Sequence, residues 1–219
     1  MRRIKAVSNN SVIAIVLSCI LLFNLCGCSL SHKPPVETVE ATFEDPAGPG
    51  EWFMVSDLTR NRKNELIYYP CYCKINGILI GNAANRCIKE FEDFFEQSVD
   101  EFREEAGLND EYQYMVISGE LLYPKDFPVD SIFDDGSVGT GNMYFFFTDQ
   151  ENNELEDEIV WVVDLTNFVL NGMPQKGKPY EFTALYGMKK ECPSFCLAAP
   201  CYATYEDSET FICRYVDPF

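Results

Sequence analysis

The sequence predicts a mainly β fold with one long amphipathic helix. Three observations lead there. Four apolar runs, at residues 112–123, 143–149, 158–165 and 178–187, are rich in β-branched and aromatic residues and are bounded by Gly, Pro, Asn or Asp, as strands are. Between 88 and 106 the apolar spacing changes to three and four, the period of a helix. Gly119 interrupts the first and longest run. A glycine inside a strand marks a bulge or bend that lets one strand serve two sheets, so the four runs are read as a small barrel, closed or nearly so.

The chain begins with Arg2, Arg3 and Lys5, carries no acid before residue 28, and has an apolar run at 12–23. That run is shorter than the about 20 residues a membrane span needs and suits the core of a signal peptide. Directly behind it stands Leu25-Cys26-Gly27-Cys28, which resembles the lipobox of bacterial lipoproteins. The resemblance implies that Cys28 takes a diacylglyceryl thioether and becomes the mature N-terminus. The protein would then be extracytoplasmic and lipid-anchored to a bacterial membrane. One acyl chain anchors only marginally, whereas two or more, each buried CH₂ adding about 0.8 kcal/mol, anchor stably.

Residues 1–27 are thus expected to be the signal peptide. Residues 28–50 read as a tether, with Pro34, Pro35, Pro46, Pro49, Gly48 and Gly50 set among acids; such composition buries too little surface to fold alone. A hairpin and the helix are expected over 51–111. Weaker strand signals at 52–58 and 65–80 enclose Asn76-Gly77, a favoured two-residue hairpin turn. The helix presents Ile88, Phe91, Phe95, Val99, Phe102 and Ala106 on one face and acids on the other, and Gly107 ends it. Its phenylalanine stripe reads as core packing and its acidic face as solvated surface.

Residues 112–219 form the barrel block. The first strand is apolar on both sides, with Tyr112, Tyr114 and Val116 on one and Met115, Ile117, Leu121 and Tyr123 on the other. Residues 143–148 and 158–165 suit a long hairpin, 180–186 alternates strictly, and 210–216 is a candidate closing strand. A long bent strand, a hairpin, a short connection and the strand led by Gly177-Lys178-Pro179 resemble an OB-fold of the tRNA-anticodon-binding-like type, which also occurs in bacterial surface lipoproteins. The resemblance implies a five-stranded barrel. Residues 188–210 exceed its usual last connection, so an immunoglobulin-like β-sandwich is the alternative.

The only histidine, His32, lies in the tether, which excludes Ser-His-Asp and Cys-His catalysis on the folded part. Asp149, Glu151 and Asn153 alternate like calcium ligands, but the sixth position is Glu154 rather than Gly and the twelfth Val160 rather than Glu. No metal and no cofactor are expected. The formal charge is −18, and loss of the three basic residues of the first 27 takes it to −21. So acidic a surface repels phosphates, and no nucleic-acid partner is expected.

Seven cysteines follow Cys28, namely Cys71, Cys73, Cys87, Cys192, Cys196, Cys201 and Cys213. Outside a membrane they are candidates for disulfides. Cys71 and Cys73 are read as facing opposite ways, with Cys87 able to reach one of them. The last four allow three pairings, and one thiol is left over. Together these features predict a lipid-anchored, non-enzymatic binding or assembly module of the cell envelope, held to a membrane and meeting an unknown protein or glycan. Its ligand surface is expected on the barrel face bearing Tyr144, Phe146 or Trp161. The alternatives are a carboxylate-dependent envelope enzyme, such as a glycan hydrolase, and a structural surface lipoprotein.

Overall fold

The structure is a computed structural model that describes residues 35–61, 63–95, 98–128, 145–165, 174–192, 194–202 and 211–216. Strand β1 (Trp52–Arg60) turns into β2 (Leu66–Ile80) at Asn61. The Asn61 side-chain oxygen accepts the backbone N–H of Lys63 at 2.9 Å and of Glu65 at 3.0 Å, and Asn64 takes a φ of 66°. Short amides suit this role because they bond the backbone locally and tolerate left-handed φ.

No turn forms at Asn76-Gly77, where one was expected. β2 runs on for 15 residues, with Ile75 opposite Gly119 and Gly77 opposite Ser118, so Asn76 is the extra residue of a bulge. Pairing with the long strand β3 (Tyr112–Leu122) overrides the local turn preference. Gly119 itself does not take a positive φ. It is needed because a Cβ there would strike the Lys74 carbonyl and come within 2.7 Å of the Phe182 ring.

The remaining strands are β4 (Phe146–Thr148), β5 (Ile159–Asp164), β6 (Pro179–Lys189), β7 (Cys196–Tyr202) and β8 (Phe211–Val216). They complete two antiparallel sheets, one ordered β1-β2-β3-β6-β5 and the other β4-β7-β8. One apolar core joins them. Phe53, Val55, Met115 and Ile117 of the large sheet meet Phe147, Leu197 and Ala199 of the small one. The Phe147 ring packs edge-on against Tyr186 at 5.1 Å, and Phe145 stacks on Phe182 at 5.7 Å.

No closed barrel is present among the described residues. β1 and β5 end the large sheet without pairing with each other, and β4 and β8, expected to be barrel strands, lie in the small sheet. Nor do β4 and β5 form a hairpin. Asp149 Oδ1 accepts the N–H of Glu151 and of Asn153, and Leu155 N–H bonds back to the Phe147 carbonyl at 2.9 Å. β4 is thereby closed off within a few residues, and β5 goes to β6.

The single long helix is also corrected to two short ones, α1 (Asn82–Phe95) and α2 (Val99–Glu105). Ser98 stands between them with extended backbone (φ −81°, ψ 164°) and caps α2. Its hydroxyl accepts Glu101 N–H at 3.3 Å, and Glu101 Oε2 accepts Ser98 N–H at 2.6 Å, the reciprocal pair of a capping box. The apolar stripe holds across the break. Ile88 and Phe102 are buried, with Phe91, Val99 and Ala106 beside them, against Tyr114, Val116 and Leu185 of the large sheet. β3 is therefore apolar on both faces, as its sequence indicates, one face meeting the helices and the other the small sheet. Gly107 takes the left-handed position after α2, at φ 66°.

Within the stretch read as tether, Val39 bridges to Phe53, and its N–H bonds the Trp52 carbonyl at 2.9 Å. Ala41 and Ala47 are fully buried in the shared core. The fold therefore begins upstream of Glu51. Cys28 lies outside the described residues.

Candidate functional site

β5 has no charge and no proline between Ile159 and Val163. Among the described residues it pairs with β6 and with no other strand. Trp161 faces Tyr186 and Val163 faces Leu185, which leaves Val162 as the extra residue of a bulge. The bulge explains why Val162 and Val163 both pack on the helix side, while Ile159 is buried between the sheets. Trp161 is 61% exposed, more than any other large apolar side chain among the described residues.

An exposed edge offers a row of N–H and C=O groups, and folded proteins commonly blunt such edges with charge or proline. Here the edge carries an indole instead. The preceding segment, 149–158, holds six acids and no base. A surface cleft of about 540 Å³ opens at its end, lined by Glu111, Glu158, Lys189, Lys190 and Glu191. Both lysines are engaged, Lys189 with Glu158 at 3.1 Å and Lys190 Nζ with the Asp110 carbonyl at 2.6 Å. The bond to Glu158 holds the Lys189 ammonium above its ordinary pKa. The region can thus pair with backbone, stack on an apolar or cationic group, and attract positive charge.

Phe146 is half-buried on β4, on the opposite face of that strand from core-facing Phe147. It and Trp161 belong to different sheets. Tyr144 lies outside the described residues. The alternation of Asp149, Glu151 and Asn153 serves the loop. Asp149 receives two backbone N–H groups and the Asn153 amide, and the amide bond leads in holding its pKa below the usual range. Among the described residues no group of three or more His, Cys, Asp or Glu is placed to hold a metal, and no helix is long and apolar enough to cross a membrane.

Cys71, Cys73, Cys87, Cys192 and Cys196 form no disulfide. Cys71 and Cys73 do not face opposite ways: two apart on one strand, they share a face and are fully buried between the sheets. Cys87 sits with the helix-side cluster, across the large sheet from both, and cannot reach them. Cys201 lies opposite Ile212 and Cys213 opposite Pro200, one step out of register.

A buried polar pair went unread in the sequence. Tyr123 bonds Asp57, and both are buried. The sign was there, because Phe53, Val55, Asp57 and Thr59 fall on the inward positions of β1. Burial first, and then the Asp57 charge, push the Tyr123 hydroxyl well above the ordinary phenol range. Nearby, Tyr69 bonds Asp126 at 2.8 Å, and burial leads in raising its pKa to about 12. A second groove, of about 500 Å³, lies between the helices and is lined by Asn82, Asn85, Arg86, Lys89 and Asp100 among others. Comparison of the chain with protein-family models, curated proteins and solved structures gives no match.

Proposed function

We propose that this chain is a lipid-anchored module of the bacterial cell envelope that binds or assembles with a partner and performs no reaction of its own. Cys28 carries the reading, because Leu25-Cys26-Gly27 places it directly behind the apolar run at 12–23. Binding is supported by Trp161, presented to solvent on an outer strand. A carboxylate-dependent hydrolase needs a general acid with a raised pKa. Glu101 and Asp149, which hydrogen bonds hold low, do not suit that role. Burial alone would raise Glu120, yet bonds from Lys74 and Asn76 bring it below the usual range. Between the two fold likenesses, the immunoglobulin-like sandwich is favoured over the OB-like barrel, because two antiparallel sheets face each other across one core.

Membrane fractionation tests the anchor. Wild-type protein is expected in the membrane fraction, and Cys28→Ala is expected as unprocessed precursor or as protein lost from that fraction. A fully processed Cys28→Ala protein that remains membrane-bound would remove the reading.

A further inference from the structure

We propose that the outer edge of β5 receives an extended, cationic polypeptide segment as a sixth strand of the large sheet, with Trp161 packing against that segment. The inference rests on the binding-module reading and adds the chemistry of the partner. The two edges of the large sheet are treated differently. At β1, Val39 lies alongside, bridging to Phe53. At β5 no described segment does so, and residues 159–163 are uncharged. Strand addition takes its affinity from main-chain hydrogen bonds and its specificity from alternate side chains. The bulge at Val162 leaves only Ile159 to Trp161 in unbroken register, and the Ile159 N–H is already donated to the Leu155 carbonyl at 3.1 Å, so pairing alone is short. The indole and the local charge must supply the rest.

The charge selects the occupant. Six acids stand at 149–158. The last of them, Glu158, lines the cleft with two further glutamates, Glu111 and Glu191, and stands three residues before Trp161. At about 3.3 Å per strand residue, that is about 10 Å along the edge, within reach of a lysine or arginine two to four positions from the residue that meets the indole. Lys189 and Glu158 neutralise each other, and Lys190, bonded to the neutral Asp110 carbonyl, stands against both Glu111 and Glu191, so the cleft keeps a negative balance. A cation can also sit over the face of Trp161, where the ring quadrupole attracts it. A second copy of this chain carries the same formal charge of −18, and like-charge repulsion opposes its approach.

The test uses the full chain in detergent with Trp52→Phe, which leaves Trp161 as the reporter because the chain has two tryptophans. The probe is a synthetic peptide of alternating Lys and Val. Its binding is expected to shift Trp161 emission to shorter wavelength, slow amide exchange in β5, and weaken as salt rises. Trp161→Ala, followed with a fluorescent copy of the probe, is expected to weaken binding about tenfold. Any of four results would overturn the proposal. These are no binding, equal binding of an alternating Glu and Val peptide, equal binding of a backbone N-methylated probe that cannot pair, and full protection of β5 amides before peptide is added. Lost docking with an intact Cys28 anchor removes this inference alone.

Discussion

Tyr123 donates its hydroxyl to Oδ2 of Asp57 across 2.8 Å, and neither side chain is more than 1% exposed. The bond ties β1 to the end of β3 across the intervening strand β2. A carboxylate oxygen buried there needs a donor, since leaving a buried acceptor bare costs about 1–3 kcal/mol. Tyr123→Phe keeps the ring and removes the donor. It is expected to destabilise by about that amount, read as a lower midpoint in urea; an unchanged midpoint would mean the pair contributes nothing.

Gly119 is held by its neighbours rather than by its φ. Even the methyl of Gly119→Ala meets the Lys74 carbonyl and the Phe182 ring. Overpacking of this kind costs about 1–3 kcal/mol. Gly119→Ala,Phe182→Leu should recover part of the loss, because the ring is gone but the carbonyl stays. Equal stability of Gly119→Ala and wild type would remove the close-approach argument.

Ser98 divides the two helices. Ser98→Ala removes the oxygen that accepts Glu101 N–H and is expected to cost about 1 kcal/mol. Amide exchange should quicken in the first turn of α2 while β3 is unaffected. A uniform change across the fold would point away from capping.

Alkali should unfold the protein. Burial leads in raising Cys73, Cys87, Tyr69, Tyr114 and Tyr123 above their ordinary values of 9.0 for thiols and 10.0 for phenols. A raised acid stays protonated in the folded state after the unfolded chain has begun to ionise. The stabilisation is therefore complete below about pH 9 and is lost as the pH rises above that value and towards the folded pKa values. Urea midpoints should fall steadily from pH 8.5 to 11. A flat profile would contradict the burial of these groups.

Period-two alternation made β6 legible, because Tyr180, Phe182, Ala184 and Tyr186 all face the inter-sheet core. The two apolar faces of β3 were legible for the same reason. The helix break was missed because the apolar stripe runs through it, although Ser98 and Glu101 spell the capping box. Asn76-Gly77 misled because a local turn preference lost to pairing along β3, a non-local term. The two-sheet arrangement depends on where residues 149–158 send the chain, which no window of sequence contains. Trp161 was named as a candidate, but a tryptophan among valines looks like core. Its exposure follows from an edge position and a bulge that only the register of β5 on β6 reveals.

Mass spectrometry of the mature protein, purified from the membranes of cells expressing the full chain, tests the anchored reading most directly. The expected N-terminal peptide begins at Cys28 and carries the mass of a diacylglyceryl thioether. A mature protein that begins elsewhere, or one that begins at Cys28 with an unmodified thiol, would contradict the lipid anchor.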